Sequence, residues 1–570
     1  MASTMEVNTI GTMTSCRLIN PEVTLSEENS NLKILPVYPL TAGISQNEMR
    51  KWHRKALELT SDREDYLPLH IRKRNNLCSL DYAYENIHFP EGRSSYLQAK
   101  YRLAFDELFL LQTALLGIRK RNITQTGISF KKGIEEEYIR TFPFELTSGQ
   151  KQAIKEISSD MEKPAVMNRL LQGDVGSGKT AVAETAMFKA VKSGYQAVLM
   201  APTEVLARQH YQGISARFEA FGINTVFLGG KMGASEKQTV SEMISDGTAH
   251  VVIGTHAVIQ DNITFNNLGL VITDEQHRFG VNQRSSLTKK GEYPDRIVMT
   301  ATPIPRTLAA ILYGDLDISV IKTMPIGRKP VITAGLTDKN RNIALNMLKE
   351  ELSKGHQGYI VTPLIEESEH IDAISVNEAY EEIKEELKGY ETAMLHGDMR
   401  QDEKDRIMEA FHRNEINVLV STVVIEVGIN VPNATVMIIE SSERFGLAQL
   451  HQLRGRVGRG EEQSFCYLIN RGKTETSKER TAIMETSTDG FYIAEMDLKL
   501  RGPGEIFGVR QHGIPEFKIA DISKHQDILF ASGDEARLIT DDDRWYEREE
   551  NLLLKEKITE MYGNLFLPDI

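Results

Sequence analysis

Arg169-Leu170-Leu171-Gln172-Gly173-Asp174-Val175-Gly176-Ser177-Gly178-Lys179-Thr180-Ala181-Val182-Ala183 is a short apolar run, a glycine loop and the start of a helical run. Residues 173–180 match G-x-x-x-x-G-K-[S/T] without a mismatch. Glycines let backbone N–H groups curl around a phosphate, and a helix N-terminus behind them adds partial positive charge. Lys179 can then reach the β- and γ-phosphates, and the Thr180 hydroxyl can ligate Mg²⁺. The remaining cradle positions are Gly173, Gly176, Ser177 and Gly178. A nucleoside triphosphate is the expected ligand, and a strand-loop-helix unit of an α/β fold is the expected setting.

A second motif says what is done with that ligand. The apolar, β-branched run Leu268–Thr273 delivers Asp274-Glu275-Gln276-His277 at its carboxyl end, where open α/β sheets place their ligands. Asp274 is suited to holding Mg²⁺ through water, and Glu275 to orienting and deprotonating an attacking water. Gln276 and His277 are placed to sense the γ-phosphate. An Asp-Glu pair after a strand is a weak signal alone; about a hundred residues after a phosphate loop it becomes a strong one.

The chain has 570 residues, 41% hydrophobic and 26% charged, as expected of several globular units. No apolar run approaches bilayer-spanning length, and the N-terminus lacks a signal-peptide pattern. Cys16, Cys78 and Cys466 are too dispersed for a disulfide framework, which fits a reducing cytoplasm. The net charge of −13 excludes a globally basic nucleic-acid coat but not a local basic track. Arg72-Lys73-Arg74 and Arg119-Lys120-Arg121 are candidate pieces of such a track, although solvated helix ends account for them as well.

The pattern divides the chain into segments. Residues 1 to about 30 read as irregular, and about 31 to 130 as helical, with Tyr101–Gln112 the clearest amphipathic stretch. From about 140 to 325, strand-like runs at 196–200, 250–253 and 296–299 alternate with helical ones. A second set follows at 358–361, 416–420 and 434–439. Two tandem α/β lobes are expected, joined near Pro325-Ile326-Gly327-Arg328-Lys329-Pro330.

The second lobe has no phosphate loop but carries Arg454, Arg456 and Arg459 among glycines in Gln449–Gly460. Arg456 and Arg459, spaced i and i+3 on a tight turn, can both face a γ-phosphate held by the other lobe. An arginine so placed stabilises the charge of a phosphoryl-transfer transition state. Hydrolysis would then require the lobes to close, which couples chemistry to movement.

Residues 140–470 resemble a superfamily-2 helicase core of two RecA-like lobes, with its motifs in order. The resemblance implies adenine contacts from Phe144 and Gln150. It implies DNA contacts or coupling from Thr203 in Ala201-Pro202-Thr203-Glu204, and from Thr255 and His256 in Gly254-Thr255-His256. Thr300 and Thr302 in Thr300-Ala301-Thr302-Pro303, and Thr422 at the head of Thr422–Pro432, take the same role. Asn430 stands where many relatives carry Asp, so no charge-dependent role passes to it.

Longer motifs are similar to the RecG family of branched-DNA translocases. They are Asp274–Val281, Met299–Leu308, Leu35–Leu40, Ile87–Pro90 and Asp489–Glu505, the last resembling the family's translocation motif. Arg501 and Gln511 fall in that motif and its terminal loop, with His512 in place of the expected serine. Asp489, Glu495, Asp497 and Arg501 are candidate links between lobe rotation and the loop; by themselves they read equally as caps and surface ion pairs. A wedge domain of this family needs well over a hundred residues, and only about thirty precede Leu35, with Arg17–Glu22 similar to its trailing end.

The expected organisation is therefore a wedge remnant at 1–30, a helical linker region at 31–130 and lobe 1 at 131–328. Lobe 2 at 329–470 and a translocation-motif region with C-terminal helices at 471–570 complete it. The resemblance implies an ATP- and Mg²⁺-dependent helicase acting on branched double-stranded DNA in repair and recombination. It implies a monomer in the bacterial cytoplasm, with no membrane partner and with single-stranded DNA-binding protein as a further partner. The alternative is a DNA-stimulated motor that has lost fork specificity with its wedge.

Overall fold

The computed structural model describes residues 2–10, 13–22, 34–41, 43–123, 127–230, 232–260, 263–274, 293–300, 316–325, 329–363, 380–397, 399–422, 431–501, 517–522, 524–542 and 544–563. They form two compact units, residues 1–108 with 542–560, and residues 109–541 with 561–570.

The first unit opens with strands β1 (Ala2–Ile10) and β2 (Met13–Glu22), paired antiparallel with Val7 opposite Cys16 and Met5 opposite Leu18. This corrects the irregular reading for residues 2–10 and 13–22. The overlooked signal is the recurrence of Thr, Val and Ile in Thr4–Ile10 and of Thr and Ile in Met13–Ile19. Helices α1 (Gln46–Leu59), α2 (Leu69–Arg74), α3 (Leu80–His88) and α4 (Arg93–Ile123) follow, as the helical reading expects. A capping box on Ser45 and Glu48 starts α1.

Arg102, fully buried on α4, anchors this unit. Its guanidinium donates to Asp65 at 2.6 and 3.0 Å and to Asp106 at 2.8 Å. Burial pushes the Asp106 carboxyl up to about 6, against the pull of Arg102 and the Tyr66 hydroxyl, which donates to it at 2.5 Å. Arg72, in the first basic run, pairs with Asp65 at 3.2 Å near the end of α2, so that run is partly spent on structure.

The second unit contains the two expected lobes. Lobe 1 is a seven-stranded sheet with all described pairings parallel, in the order β5-β6-β4-β7-β8-β3-β9. Its strands are β3 (Asn168–Gly173), β4 (Gln196–Met200), β5 (Thr225–Leu228), β6 (Val251–Gly254), β7 (Leu268–Asp274), β8 (Asp295–Thr300) and β9 (Asp317–Ile321). Leu171, Leu199, Ile253, Ile272 and Ile297 have essentially no exposed surface, which is why these strands read as continuous apolar runs rather than alternating ones. Helices α5 (Glu135–Ile139), α6 (Ser148–Met161), α7 (Lys179–Lys192), α8 (Glu204–Glu219) and α9 (Ala234–Ser245) cover the sheet.

Lobe 2 repeats the plan with six strands ordered β10-β15-β14-β11-β13-β12, again all parallel. They are β10 (Ile332–Leu336), β11 (Gln357–Val361), β12 (Thr392–Leu395), β13 (Val418–Ser421), β14 (Ala434–Ile439) and β15 (Phe465–Ile469). The lobe includes α10 (Arg341–Ser353), α11 (Gln401–His412) and α12 (Leu447–Arg454). After it in sequence come α13 (Glu475–Thr486), α14 (Gly490–Arg501) and α15 (Gln526–Thr540), while α16 (Leu552–Tyr562) falls almost wholly in the first unit. No described helix is long and apolar enough to cross a membrane.

One acid in lobe 1 gives a stability prediction. Asp295, with no exposed surface at the start of β8, accepts the Met167 N–H at 2.8 Å through one oxygen. The other oxygen meets no hydrogen-bond donor among the described residues. Burial raises its carboxyl well above the usual range, assisted by the charge of Asp160 and opposed by the Met167 N–H. A carboxyl raised in the folded state stabilises the fold below its unfolded pKa of about 3.9, and that stability is lost as pH rises through the folded value. Asp295→Asn cannot ionise, so its melting temperature relative to the parent should climb between pH 5 and pH 8. A constant difference across that range would show that Asp295 is not held neutral.

Candidate functional site

The phosphate loop is shaped before any ligand arrives. β3 ends at Gly173, and Gly176 and Gly178 adopt left-handed φ values of +78° and +82°, positions that favour glycine. A Cβ on Gly178 would lie 2.1 Å from Gln150 Nε2, and one on Gly173 2.5 Å from Ser177 Oγ, so a side chain at either position would displace Gln150 or Ser177. Lys179 starts α7, and its ammonium donates to the Gly173 and Asp174 carbonyls at 2.8 and 3.0 Å. The Ser177 hydroxyl is buried without a hydrogen-bond partner among the described residues, as a group left for a phosphate would be.

Gln150, one of the two expected adenine contacts, packs against the phosphate loop. Its Oε1 accepts the Thr147 N–H at 2.8 Å and its Nε2 donates to the Ser177 carbonyl at 2.9 Å. With 1% exposure and both ends engaged, it braces the phosphate loop. Phe144 is half exposed and stacks on Phe142 with centroids 5.2 Å apart, which leaves one face open to a planar base.

Both lobes line one pocket of about 650 Å³. Lobe 1 supplies Lys179, Thr180, Glu184, His210 and Asp274, and lobe 2 supplies Arg456, Arg459 and glycines around them. Asp274 ends β7 beside β8 and accepts from His210 Nε2 at 3.0 Å. Arg456 is buried, and Arg459 Nε donates to the Gly455 carbonyl at 3.1 Å, which fixes the turn between them. The sequence motifs do not single out His210; its only hint is its position seven residues, two helical turns, after Thr203, the N-cap of α8.

The lobes also touch beside the loop. His451 Nε2 donates to Asp174 Oδ1 at 2.7 Å, and the same oxygen accepts the Val175 N–H at 2.6 Å. Burial alone would raise the Asp174 carboxyl, but the hydrogen bonds from His451 and Val175 and the charge of Lys179 hold it below the usual range. A Cβ on Gly455 would meet the Val175 side chain at 3.0 Å, so the turn packs tightly on Val175 and a larger residue there would have to push it aside. α12, which carries His451, is held at both ends. Asp497 of α14 accepts the Leu447 N–H at 2.8 Å, and Arg454 donates to the Met484 and Ser487 carbonyls at the C-terminal end of α13 at 2.9 and 2.8 Å.

Among the four candidate coupling residues of the translocation motif, Asp497 thus bridges helices. Asp489 caps α14 through the Phe491 N–H at 2.8 Å, and Glu495 makes a half-exposed ion pair with Lys499 at 2.9 Å. Glu275, His277, Thr302, Gln511 and the side chain of Arg501 lie outside the described residues.

The nucleic-acid candidates follow strand ends. Thr203 follows β4, Thr255 and His256 follow β6, and Thr300 ends β8, all on the edge of the parallel sheet that carries the phosphate loop. Thr422 follows β13 on the matching edge of lobe 2. Thr255 and Thr422 are buried with hydroxyls that lack hydrogen-bond partners among the described residues. His256 is exposed, whereas the Thr203 hydroxyl caps α8 at 3.4 Å from the Leu206 N–H.

Two parallel-sheet lobes, a phosphate loop on one and arginines from the other lining the same pocket define a two-lobe helicase motor. The DEAD/DEAH box helicase family model matches residues 147–311, and the helicase conserved C-terminal domain matches 341–461. The model for ATP-dependent DNA helicase RecG, domain 3, C-terminal, matches 487–564, and the RecG wedge domain model matches 4–60, beyond the residue-30 limit expected for the wedge piece. The chain is 47% identical to ATP-dependent DNA helicase RecG of Streptococcus pneumoniae over 90% of its own length and 77% of the relative's. With the Synechocystis protein of the same name it shares 42% identity over 96% of this chain and 67% of that one. A solved RecG bound to a three-way DNA junction is 42% identical with a TM-score of 0.74, over 93% of this chain and 70% of that chain. The chain belongs to the RecG family of ATP-dependent DNA helicases.

Proposed function

We propose that this helicase acts on branched double-stranded DNA, hydrolysing ATP as it tracks along a duplex arm to reverse forks or migrate branches. The observation that carries the motor is the pocket lined by Lys179 and Asp274 from one lobe and Arg456 and Arg459 from the other. The branch preference is supported by the junction held in the similar solved structure.

Lys179, Ser177 and the loop glycines would hold the phosphates, Thr180 and Asp274 would hold Mg²⁺, and Phe144 would cover the base. The metal would supply charge neutralisation at the phosphates. Glu275 would take the proton of the attacking water, with His277 passing the γ-phosphate state onward. His210 donates to the Asp274 carboxylate, and a bound metal ion would compete with it for that oxygen. DNA would lie along the strand-end edges, against Thr203, Thr255, His256, Thr300, Thr302 and Thr422. Arg501 and Gln511 would turn lobe movement into translocation. Monomeric action, a cytoplasmic setting and single-stranded DNA-binding protein as a partner rest on family membership alone.

The test is ATP hydrolysis by the full chain with no DNA, a single strand, a linear duplex and a three-way junction at fixed low salt. Junction stimulation well above that of linear duplex supports the reading, and binding should weaken steeply with salt because phosphate contacts dominate it. Equal stimulation by both duplex forms would leave a motor without branch preference.

A further inference from the structure

Arg454, His451 and Asp174 form a line of hydrogen bonds with one polarity. Arg454 donates to the Met484 and Ser487 carbonyls, and its Nη2 donates to His451 Nδ1 at 2.9 Å. A guanidinium has donors and no acceptor, so His451 Nδ1 must present its lone pair and Nε2 must carry the proton. That proton points at Asp174 Oδ1, which in turn accepts the Val175 N–H of the phosphate loop. Asp174, His451 and Arg454 are 9%, 6% and 4% exposed, so water cannot readily substitute for a broken link.

Sliding or rotating lobe 2 on lobe 1 must break or bend the His451–Asp174 bond, because it crosses between them. When it breaks, Asp174 keeps the Val175 N–H but loses the donor that fixes its rotamer. Val175 packs on Gly455 from the same lobe 2 turn, so the loop senses the movement through both its backbone and its side chain.

We propose that His451 is a positioning residue for hydrolysis, setting the Asp174–Val175 end of the phosphate loop according to the position of the α13–α14 hairpin. The inference rests on the reading of the chain as a DNA-driven motor. It assigns to one tautomer of one histidine the link by which the hairpin tunes turnover. A histidine at this point supplies an acceptor and a donor on opposite sides of one rigid ring. Few other side chains can do both.

The test compares His451→Ala, His451→Gln, Asp174→Asn and the His451→Ala/Asp174→Asn double variant with the parent, in ATP hydrolysis with saturating duplex DNA. His451→Ala should lower the DNA-stimulated kcat about tenfold or more, with KM for ATP within about threefold. His451→Gln should recover to within about threefold of the parent, because its Oε1 accepts from Arg454 and its Nε2 donates to Asp174. The double variant should be no slower than the worse single variant, the pattern expected of residues acting as one unit.

A glutamine variant as slow as the alanine one would overturn the inference, as would multiplicative losses in the double variant or a raised KM with kcat kept. If His451→Ala does not fold, the glutamine and Asp174→Asn variants decide between the same outcomes. A parent enzyme that DNA does not stimulate overturns the motor reading. A DNA-stimulated parent with an unaffected His451→Ala variant overturns this inference alone.

Discussion

Lys179→Ala should lower DNA-stimulated ATP hydrolysis by on the order of a thousandfold, while affinity for duplex DNA at fixed salt stays within about threefold. The lysine is the cation at the centre of the cradle, and its ammonium already sits on the Gly173 and Asp174 carbonyls. Nucleotide phosphates would draw it off those carbonyls, so its charge reaches the transferring group without a large rearrangement. Alanine removes both the charge and the two bonds that keep the loop curled. Lys179→Arg should rescue little, because a planar fork is larger than the ammonium and cannot make the same two close contacts. DNA binding survives because the candidate contacts lie at other strand ends. Normal turnover by the alanine variant would remove Lys179 from the site.

Arg456→Ala and Arg459→Ala should each lower kcat by on the order of a thousandfold with a small change in KM, as for an arginine that meets charge only in the transition state. The two differ in what else they hold. Arg456 is buried, so its loss also leaves a gap beneath the turn, and Arg456→Lys separates charge from packing. Arg459 steadies the turn through the Gly455 carbonyl, the residue that packs on Val175. Single-turnover hydrolysis with a parallel thermal melt distinguishes these effects. A variant that keeps kcat but raises KM would make the arginine a ground-state phosphate contact rather than a catalytic one.

Much of this was legible in the sequence, and for physical reasons. Buried parallel strands are written as unbroken apolar runs, so 196–200 and 434–439 coincide with β4 and β14 to the residue. The phosphate loop was legible because few residues satisfy left-handed φ and sub-van-der-Waals approach at once. Edge and short strands were harder. β5 and β12 have four residues each, and β10 is only partly buried, so none carries a long apolar signature. Gln150 was read for its ligand chemistry, whereas its amide braces the loop; a capping position at the start of α6, set by Thr147, was the available hint. The His451–Asp174 contact joins residues far apart in the chain, and no local pattern announces such a pair.

The order of strands in lobe 2 has a consequence for synthesis. Among the described residues, β10, the first strand of that lobe to leave the ribosome, pairs with β15 alone, and β15 is the last strand of the sheet. Lobe 1 finishes its sheet with β9 before any of this begins. The nascent second lobe must therefore carry Ile332–Leu336 as an unsatisfied edge until Phe465–Ile469 emerges, and a chain released early would present that edge to its neighbours. Truncations ending before Phe465 should thus aggregate rather than behave as a shorter enzyme.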